Sequence, residues 1–220
     1  LRGQGHGCAH HMQTPAMIGA AMALRGVLES SDQPFEIHVI GTPSEESLDG
    51  GKNEMAAHGG FDHIDVAFMV HGSTLTQLET PSLALIEMDV EFHGKTAHAG
   101  IAPYAGRSAV DAVTMLQTGL GLMRNHLKDS SRVSNIVLAG GTAVNSVPDF
   151  AKVKVEIRHS SMAYLESVEQ WTREIAQAAA MATQTQVQIT PVAHIYNTTI
   201  NDAMGALLME CAEKFACDGI

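Results

Sequence analysis

The chain of 220 residues is 45% hydrophobic and 17% charged, so it can bury a core and is not disordered in composition. Its net charge of -11 argues against nucleic-acid or anionic-membrane partners, because few cations remain to neutralise phosphates. No apolar run approaches the roughly 20 residues that span a bilayer, and the three cysteines make no disulfide framework. We therefore expect a soluble protein of a reducing compartment, the cytoplasm.

The first third of the sequence alternates between helix and strand. Thr14 and Pro15 predict the start of a helix, with Thr as its cap and Pro in its first turn. The apolar runs 35–40 and 66–70 predict two buried strands, with a helix at 50–58 between them. This order is typical of a parallel sheet with crossover helices, as in doubly wound α/β domains.

The middle of the sequence has a different order of elements, β-α-β-β-α-β. Strands are predicted at 85–92, 133–138, 151–158 and 187–189, and helices at 108–127 and 162–183. This order is typical of a ferredoxin-like sandwich, which we take as a separate domain inserted into the first. A last helix is predicted near 202–216, where the chain returns to the first domain.

Three separate stretches bring metal-binding side chains to one edge of the predicted parallel sheet. Cys8 and His10 lie two residues apart in a loop before the first helix, so both can face one ion. Glu45 and Glu46 follow the first predicted strand, and His71 ends the second, where ligands of such sheets gather. Thiolate with imidazole suits zinc, manganese or cobalt better than calcium or magnesium. Of two adjacent glutamates, one can bind metal while the other takes a proton from water.

Each of these residues also has a simpler interpretation. A lone histidine is more often a hydrogen-bonded structural residue, Cys8 a small buried side chain, and Glu45-Glu46 a solvated acidic turn. A cysteine hydrolase with Cys8 as nucleophile and His10 or His11 as base is a second hypothesis, but it leaves the glutamate pair unexplained. A non-catalytic scaffold is a third. Because the candidates converge on one edge of one sheet, we favour a metal-dependent hydrolase.

Four motifs follow one another along the chain: GHGCAHH, GTPSEES, VEFHGKTAHAG and GGTAVNSVP. Together they resemble the M20 metallopeptidase family in its amidohydrolase branch, over essentially the whole chain. The resemblance implies a partial doubly wound catalytic domain that binds metal over residues 1–80. It implies an inserted ferredoxin-like lid and dimerisation domain over 81–193, and a truncated return to the catalytic domain over 194–220.

The resemblance also implies a role for each candidate residue of the first domain. Two divalent ions, zinc or manganese with cobalt as a third option, would be held by Cys8, His10, Glu46 and His71. Glu45 matches the general base. These roles are what the family pattern implies for the matching positions of this sequence.

Three residues of the second domain match family positions that act on the substrate. His98 matches a lid histidine that reaches the active site of a neighbouring subunit and stabilises the oxyanion. Asn145 and Arg158 match positions implied to hold the substrate's carboxylate. From the residues alone, His98 would cap a loop, Asn145 would set a turn, and Arg158 would be a solvated strand end.

Two positions near the first ligand depart from the family. Ala9 stands where the family usually has glycine, and His11 where it usually has Asp or Asn. The first change is tolerable unless the backbone needs a positive φ, and the second replaces an acceptor for His10. A further metal-ligating histidine of the family would lie beyond Ile220, and early strands of the sheet before Leu1, so we expect this stretch alone to be inactive.

We therefore predict a metal-dependent amidohydrolase or dipeptidase that cleaves an amide bond next to a free carboxylate. Its substrate would be a dipeptide, an N-acyl amino acid or a molecule of the aminobenzoyl-glutamate type. The expected partners are this small substrate and a second copy of the chain, bound through the lid domain. The alternative is a catalytically incomplete scaffold or binding protein that dimerises through the same domain.

Overall fold

The chain folds as two units in this computed structural model, which describes residue 5 and residues 7–46, 50–73 and 81–214. The first unit combines Leu1–Glu79 with Asn201–Ile220, and the second is Thr80–Ile200. The first contains helices α1 (His10–Leu28), α2 (Gly51–Ala57) and α5 (Asp202–Lys214). The second contains β1 (Ala84–His93), α3 (Ala109–Met123), β2 (Arg132–Ala139), β3 (Phe150–His159), α4 (Met162–Thr183) and β4 (Gln186–Ile195).

Helices form where the apolar spacing predicted them. The predicted helices at 50–58, 108–127 and 162–183 are confirmed as α2, α3 and α4. The last predicted helix is confirmed as α5 up to Lys214, and its predicted residues 215 and 216 lie outside the described part of the chain. None of the described helices is both long and apolar enough to cross a bilayer.

The first helix begins earlier than the sequence predicted. Helix α1 starts at His10 rather than at Thr14, and Pro15 lies inside it. Its start is set by Ala9, whose left-handed backbone turns the chain and whose carbonyl accepts a hydrogen bond from the Met12 amide. The prediction was wrong because Pro15 was placed in the first turn; the helix instead accommodates a proline that removes one internal hydrogen bond.

The two strands predicted in the first unit are absent from the described residues. The segments 35–40 and 66–70 carry no strand pairing, and the described strands all belong to the second unit. Side chains of both segments, Phe35 and Phe68 among them, are exposed. An apolar run predicts a strand through its burial, but a strand also needs a hydrogen-bonded neighbour, and the described residues supply none to these segments.

The second unit is a four-stranded sheet with the strand order β2-β3-β1-β4. Every neighbouring pair is antiparallel, so β1 and β2 run in the same direction with β3 between them. This is the strand order of the ferredoxin-like sandwich and confirms the predicted fold class for this part of the chain. Strand β4 is longer than predicted and reaches Ile195, so the second unit ends later than residue 193.

The core of the second unit lies between one face of this sheet and helices α3 and α4. Side chains of β1 and β3 alternate between faces, and the residues on the helix side are fully buried: Ile86, Met88, Val90, Phe92, Val153, Val155 and Ile157. Leu116 and Leu165 cover them from α3 and α4. Both helices start with a serine whose hydroxyl accepts a backbone N–H, worth about 1 kcal/mol each.

The other face of the sheet carries paired charges. The Lys152 ammonium lies 2.8 Å from Asp89 and 3.0 Å from Glu91, and the Lys154 ammonium lies 2.8 Å from Glu87. The hydrogen bond to Asp89, followed by that to Glu91, raises the pKa of Lys152, and the bond to Glu87 raises the pKa of Lys154. Because a raised lysine pKa stabilises the fold below that pKa, this contribution is present at neutral pH and is lost as the pH rises through the pKa of each lysine.

Replacement of Phe92 by alanine tests whether this core determines the stability of the second unit. Phe92 is fully buried, so Phe92→Ala should lower the free energy of unfolding by about 3–5 kcal/mol. Phe150→Ala is the matched control, because that ring is 37% exposed and should cost clearly less. Urea unfolding of both variants measures the difference, and equal losses would contradict the assignment of the core.

Candidate metal centre

Cys8 and His10 are held by the turn that starts helix α1. Ala9, between them, has φ of 55°, the left-handed conformation that glycine adopts most easily. The departure from glycine therefore falls on a backbone with positive φ, where an alanine costs about 1 kcal/mol relative to glycine. The Ala9 methyl group finds room against Gly72, where an added Cβ would lie 3.1 Å from it. The same contact places Ala9 beside the residue that follows His71.

The rings of His10 and His71 lie next to each other, with their Nε2 atoms in contact. Their Nε2 atoms are 3.3 Å apart, and the rings meet edge to face at 80°. The His71 Nδ1 lies 2.7 Å from the Gly72 carbonyl, which fixes the proton on Nδ1 and leaves a lone pair on Nε2. The His10 Nδ1 lies 3.2 Å from Glu46 and 3.4 Å from Glu45, so its N–H can likewise donate to a carboxylate.

Without an ion, a proton on one Nε2 joins the two rings through a hydrogen bond; with an ion, both Nε2 lone pairs can bind it. In a tetrahedral zinc site with Zn–N bonds of about 2.0–2.1 Å, two imidazole nitrogens are about 3.3–3.4 Å apart. The separation of 3.3 Å between the His10 and His71 Nε2 atoms therefore fits a shared metal ion. Each ring is also oriented through its second nitrogen by a carbonyl or a carboxylate, as metal-bound histidines usually are.

Cys8 completes a group of three candidate ligands. One ligand atom from each of Cys8, His10 and His71 lies within 4.8 Å of the other two. The negative charge of Glu46 raises the pKa of Cys8, and desolvation and Glu45 act in the same direction. A thiolate at this position therefore needs a nearby cation to form at neutral pH, and thiolate with two imidazoles is a donor set that suits zinc.

The two adjacent glutamates lie near Nδ1 of His10, the ring nitrogen that does not face His71. His10, Glu45 and Glu46 form a second group whose ligand atoms lie within 4.8 Å of one another. The Glu45 and Glu46 side chains are 46% and 68% exposed, so water reaches both. The structure thus brings Cys8, His10, Glu45, Glu46 and His71 together. The family usually has an acceptor for this histidine at the position of His11. Here the two carboxylates take that role, which the sequence analysis did not predict.

His98 lies in the second unit, in the loop between β1 and α3. This loop pairs with the segment around Asn145: His98 forms a bridge with Ser146, and the Ala99 amide donates to the Asn145 carbonyl at 2.9 Å. The His98 Nδ1 accepts a hydrogen bond from the Gly100 amide at 3.2 Å. The neutral ring therefore carries its proton on Nε2, the nitrogen that would donate to an oxyanion.

Asn145 and Arg158 do not converge within one chain. Asn145 lies in a turn closed by the Ser146 amide and the Ala143 carbonyl, before β3 begins at Phe150. Arg158 lies eight residues after Phe150 in the same strand. At about 3.3 Å per residue of an extended chain, the two residues are about 26 Å apart. His98 and Asn145 thus share one end of the sheet, and Arg158 lies at the other.

The guanidinium of Arg158 already has a carboxylate partner. Its Nε and Nη2 donate to the two oxygens of Glu156 at 2.7 and 2.9 Å, a bidentate pair that raises the pKa of Arg158. Sequence reasoning did not single out Glu156. The period of two in β3 was the available signal, because it places residues 156 and 158 on the same face of the sheet.

Comparisons with known proteins agree with this organisation. The family model of the M20 peptidase dimerisation domain matches residues 84–184, within the second unit. The chain is 32% identical to the Xaa-Arg dipeptidase of Mus musculus over 98% of its own length and 51% of that relative. It is 33% identical to a p-aminobenzoyl-glutamate hydrolase chain of Escherichia coli (strain K12), over 91% of this chain and 43% of the relative.

A solved structure supports the same relationship. The aminobenzoyl-glutamate utilization protein from Klebsiella pneumoniae superposes with a TM-score of 0.54 at 30% identity, covering 60% of this chain and 33% of that one. The chain spans about half the length of the curated relatives that it matches. Since hydrolases of one family match along nearly its whole sequence and its second unit carries that family's dimerisation domain, the chain belongs to the M20 amidohydrolase family.

Proposed function

We propose that the full-length protein is a metal-dependent amidohydrolase or dipeptidase that cleaves an amide bond next to a free carboxylate. The observation that carries the proposal is the pair of oriented imidazoles with Nε2 atoms 3.3 Å apart, beside a thiol and two carboxylates. The names of the relatives, a Xaa-Arg dipeptidase and a p-aminobenzoyl-glutamate hydrolase, point to dipeptides and N-acyl amino acids as the class of substrate.

Cys8, His10, Glu46 and His71 would hold two divalent cations, zinc or manganese with cobalt as a third option. The M20 family is metal dependent, and the donor set present here fits these ions. When bound, such ions polarise the scissile carbonyl and lower the pKa of water toward about 7. Glu45 accepts the proton from the attacking water and passes it to the departing amine, which a carboxylate beside the cluster can reach.

The second unit would supply the groups that hold the substrate. The His98 Nε2 proton donates to the oxyanion that forms on the carbonyl carbon. Asn145 is tied to the same loop and would contribute to binding the substrate's carboxylate from that end of the sheet. Arg158, at the opposite end of the sheet, would bind the substrate's carboxylate, because its planar guanidinium forms two parallel hydrogen bonds to such a group. One substrate can contact both ends only if two chains contribute.

We propose that these two chains form a homodimer through the second unit. Within the described part of the chain, strand β2 is an edge of the sheet that pairs only with β3. It exposes three consecutive apolar side chains, Ile136, Val137 and Leu138. An exposed apolar edge strand pairs readily with another chain. In such a dimer, His98 and Asn145 of one protomer and Arg158 of the other would serve the same active site.

Removal of a metal ligand should weaken metal binding. In the full-length protein, His71→Ala should lower the zinc affinity at least about 100-fold, since loss of a supporting contact alone can cost 10–100-fold. His58→Ala is the control, because that histidine is 78% exposed and lies at the end of α2. Competition with a zinc chelator measures both affinities. Unchanged affinity in His71→Ala would contradict the assignment of His71.

Replacement of the general base should abolish turnover while the metal stays bound. Glu45→Gln should lower kcat about 10²–10⁴-fold, because the amide cannot accept the proton of the water. Glu36→Gln, at a side chain that is 83% exposed, should leave kcat unchanged. Hydrolysis of dipeptides and N-acyl amino acids, together with metal content, gives the readout. Wild-type turnover by Glu45→Gln would exclude Glu45 as the base.

Mixed dimers test whether His98 acts on the partner's site. Glu45→Gln and His98→Ala homodimers should each be inactive, whereas a mixture that exchanges subunits should regain about a quarter of the wild-type activity. In that mixture, one site of each mixed dimer has both residues intact. The control is a doubly substituted chain exchanged with an equal amount of wild type. Its mixed dimers should be inactive because the surviving groups fall in different sites, so activity should fall from about a half to about a quarter, that of the remaining wild-type homodimers. No recovery in the first mixture, with exchange verified, would show that His98 acts within its own subunit.

A further inference from the structure

The loop between α3 and β2 borders a cavity whose lining is rich in positive charge. The cavity has a volume of about 360 Å³. Its lining residues include three cations and two serines: Arg124, Lys128, Arg132, Ser130 and Ser131. Among the described lining residues, Asp129 is the only acidic one, so three positive charges face one negative charge. This balance is the opposite of the whole chain, which has a net charge of -11.

The cations of this loop differ from the other cations of the same sheet in their partners. Lys152, Lys154 and Arg158 each form an ion pair with a carboxylate. Among the described residues, Arg124, Lys128 and Arg132 form no ion pair, although they lie within nine positions of one another. Like charges held close together repel each other, and a bound anion removes that repulsion.

Neutral contacts nevertheless hold all three cations in place. The Arg124 Nη2 donates to the Val133 carbonyl at 2.7 Å, and the Arg132 Nη1 donates to the Ser131 carbonyl at 2.8 Å. The Lys128 ammonium lies 4.6 Å from the centre of the Tyr164 ring. An arginine has five N–H groups and a lysine three, so each contact leaves N–H groups that can donate to a ligand.

The loop itself is tied to the start of helix α4. The Lys128 amide donates to the Tyr164 hydroxyl at 2.9 Å, and the Ser131 hydroxyl donates to the Lys128 carbonyl at 2.7 Å. The Ser130 hydroxyl lies 3.3 Å from that of Ser160, and Ser130 has a left-handed backbone with φ of 67°. A loop fixed at these points loses little entropy when it binds a ligand.

We propose that this loop is a binding site for a phosphate group, carried by a small molecule or present as inorganic phosphate. A phosphate dianion has enough oxygens to accept hydrogen bonds from two guanidinium groups and an ammonium together. A single carboxylate has two oxygens and one charge, which match this lining less well. The site lies in the second unit and does not involve Cys8, His10 or His71, so it is independent of the proposed hydrolysis.

Titration of the full-length protein with inorganic phosphate, at constant ionic strength, tests the proposal. Wild type should bind phosphate saturably by calorimetry, and Lys128→Gln/Arg132→Gln should raise the Kd at least about tenfold. Both side chains are exposed, so the variant should unfold at the wild-type temperature. The matched control is Lys52→Gln/Lys95→Gln, which removes two charges at exposed positions elsewhere and should leave the Kd unchanged.

Three outcomes would overturn the proposal. The first is the absence of saturable binding beyond that of chloride at the same ionic strength. The second is an equal loss in the control, which would show that only overall charge matters. The third is acetate binding as tight as phosphate binding, which would make the ligand a carboxylate. Phosphate bound to metal ions in the catalytic centre would affect both variants alike, so the difference between them reports on the loop.

Discussion

The pairing of β1 with a neighbour on each side is the interaction on which the second unit depends. Strands β3 and β4 both run antiparallel to it, so its backbone groups are bonded along both edges. Because a strand alternates its side chains between faces, β1 supplies Met88 and Phe92 to the core and Glu87 and Asp89 to the charged face. Its last residue leads into the loop that holds His98. One strand thus determines the core, the charged face and the place of the candidate oxyanion donor.

In the first unit, His10 is the residue that contacts most of the other candidate ligands. One ring nitrogen lies 3.3 Å from His71, and the other lies within 3.4 Å of both Glu45 and Glu46. A change at either carboxylate would therefore remove a contact that orients this candidate metal ligand. The residue before His10 adds strain, because Ala9 keeps a positive φ. The methyl contact with Gly72 links that strained turn to the segment of His71.

The sequence predicted the second unit well because its contacts are local and alternate regularly. In β3, buried residues recur at every second position, and α4 follows directly with a serine cap. The strands expected at 35–40 and 66–70 were wrong, because a parallel strand depends on neighbours distant in sequence, and hydrophobicity does not reveal whether they are present. The start of α1 was missed for a related reason: the left-handed turn at Ala9 has no signal in a non-glycine residue.

The residues of the candidate site differ in how far the sequence could place them. Cys8 and His10 are neighbours in the chain, so their proximity follows from spacing, and Glu45 and Glu46 join them in the structure. The separation of Asn145 from Arg158 follows already from the strand predicted at 151–158, which lies between them and is confirmed as β3. What the sequence could not give is the register of β1 and β3, which places His98 at the Asn145 end of the sheet.

The bidentate pair between Arg158 and Glu156 changes how a ligand would bind there. A carboxylate that binds the Nε and Nη2 edge of this arginine has to exchange with the Glu156 carboxylate that is already bonded there. The net charge at the guanidinium then stays nearly constant, so the exchange depends little on ionic strength. An anion that makes no other contact gains no binding free energy from such an exchange. The site therefore favours a molecule that also contacts the protein at a second point. The released Glu156 is at the same time free to meet a positive group on that molecule.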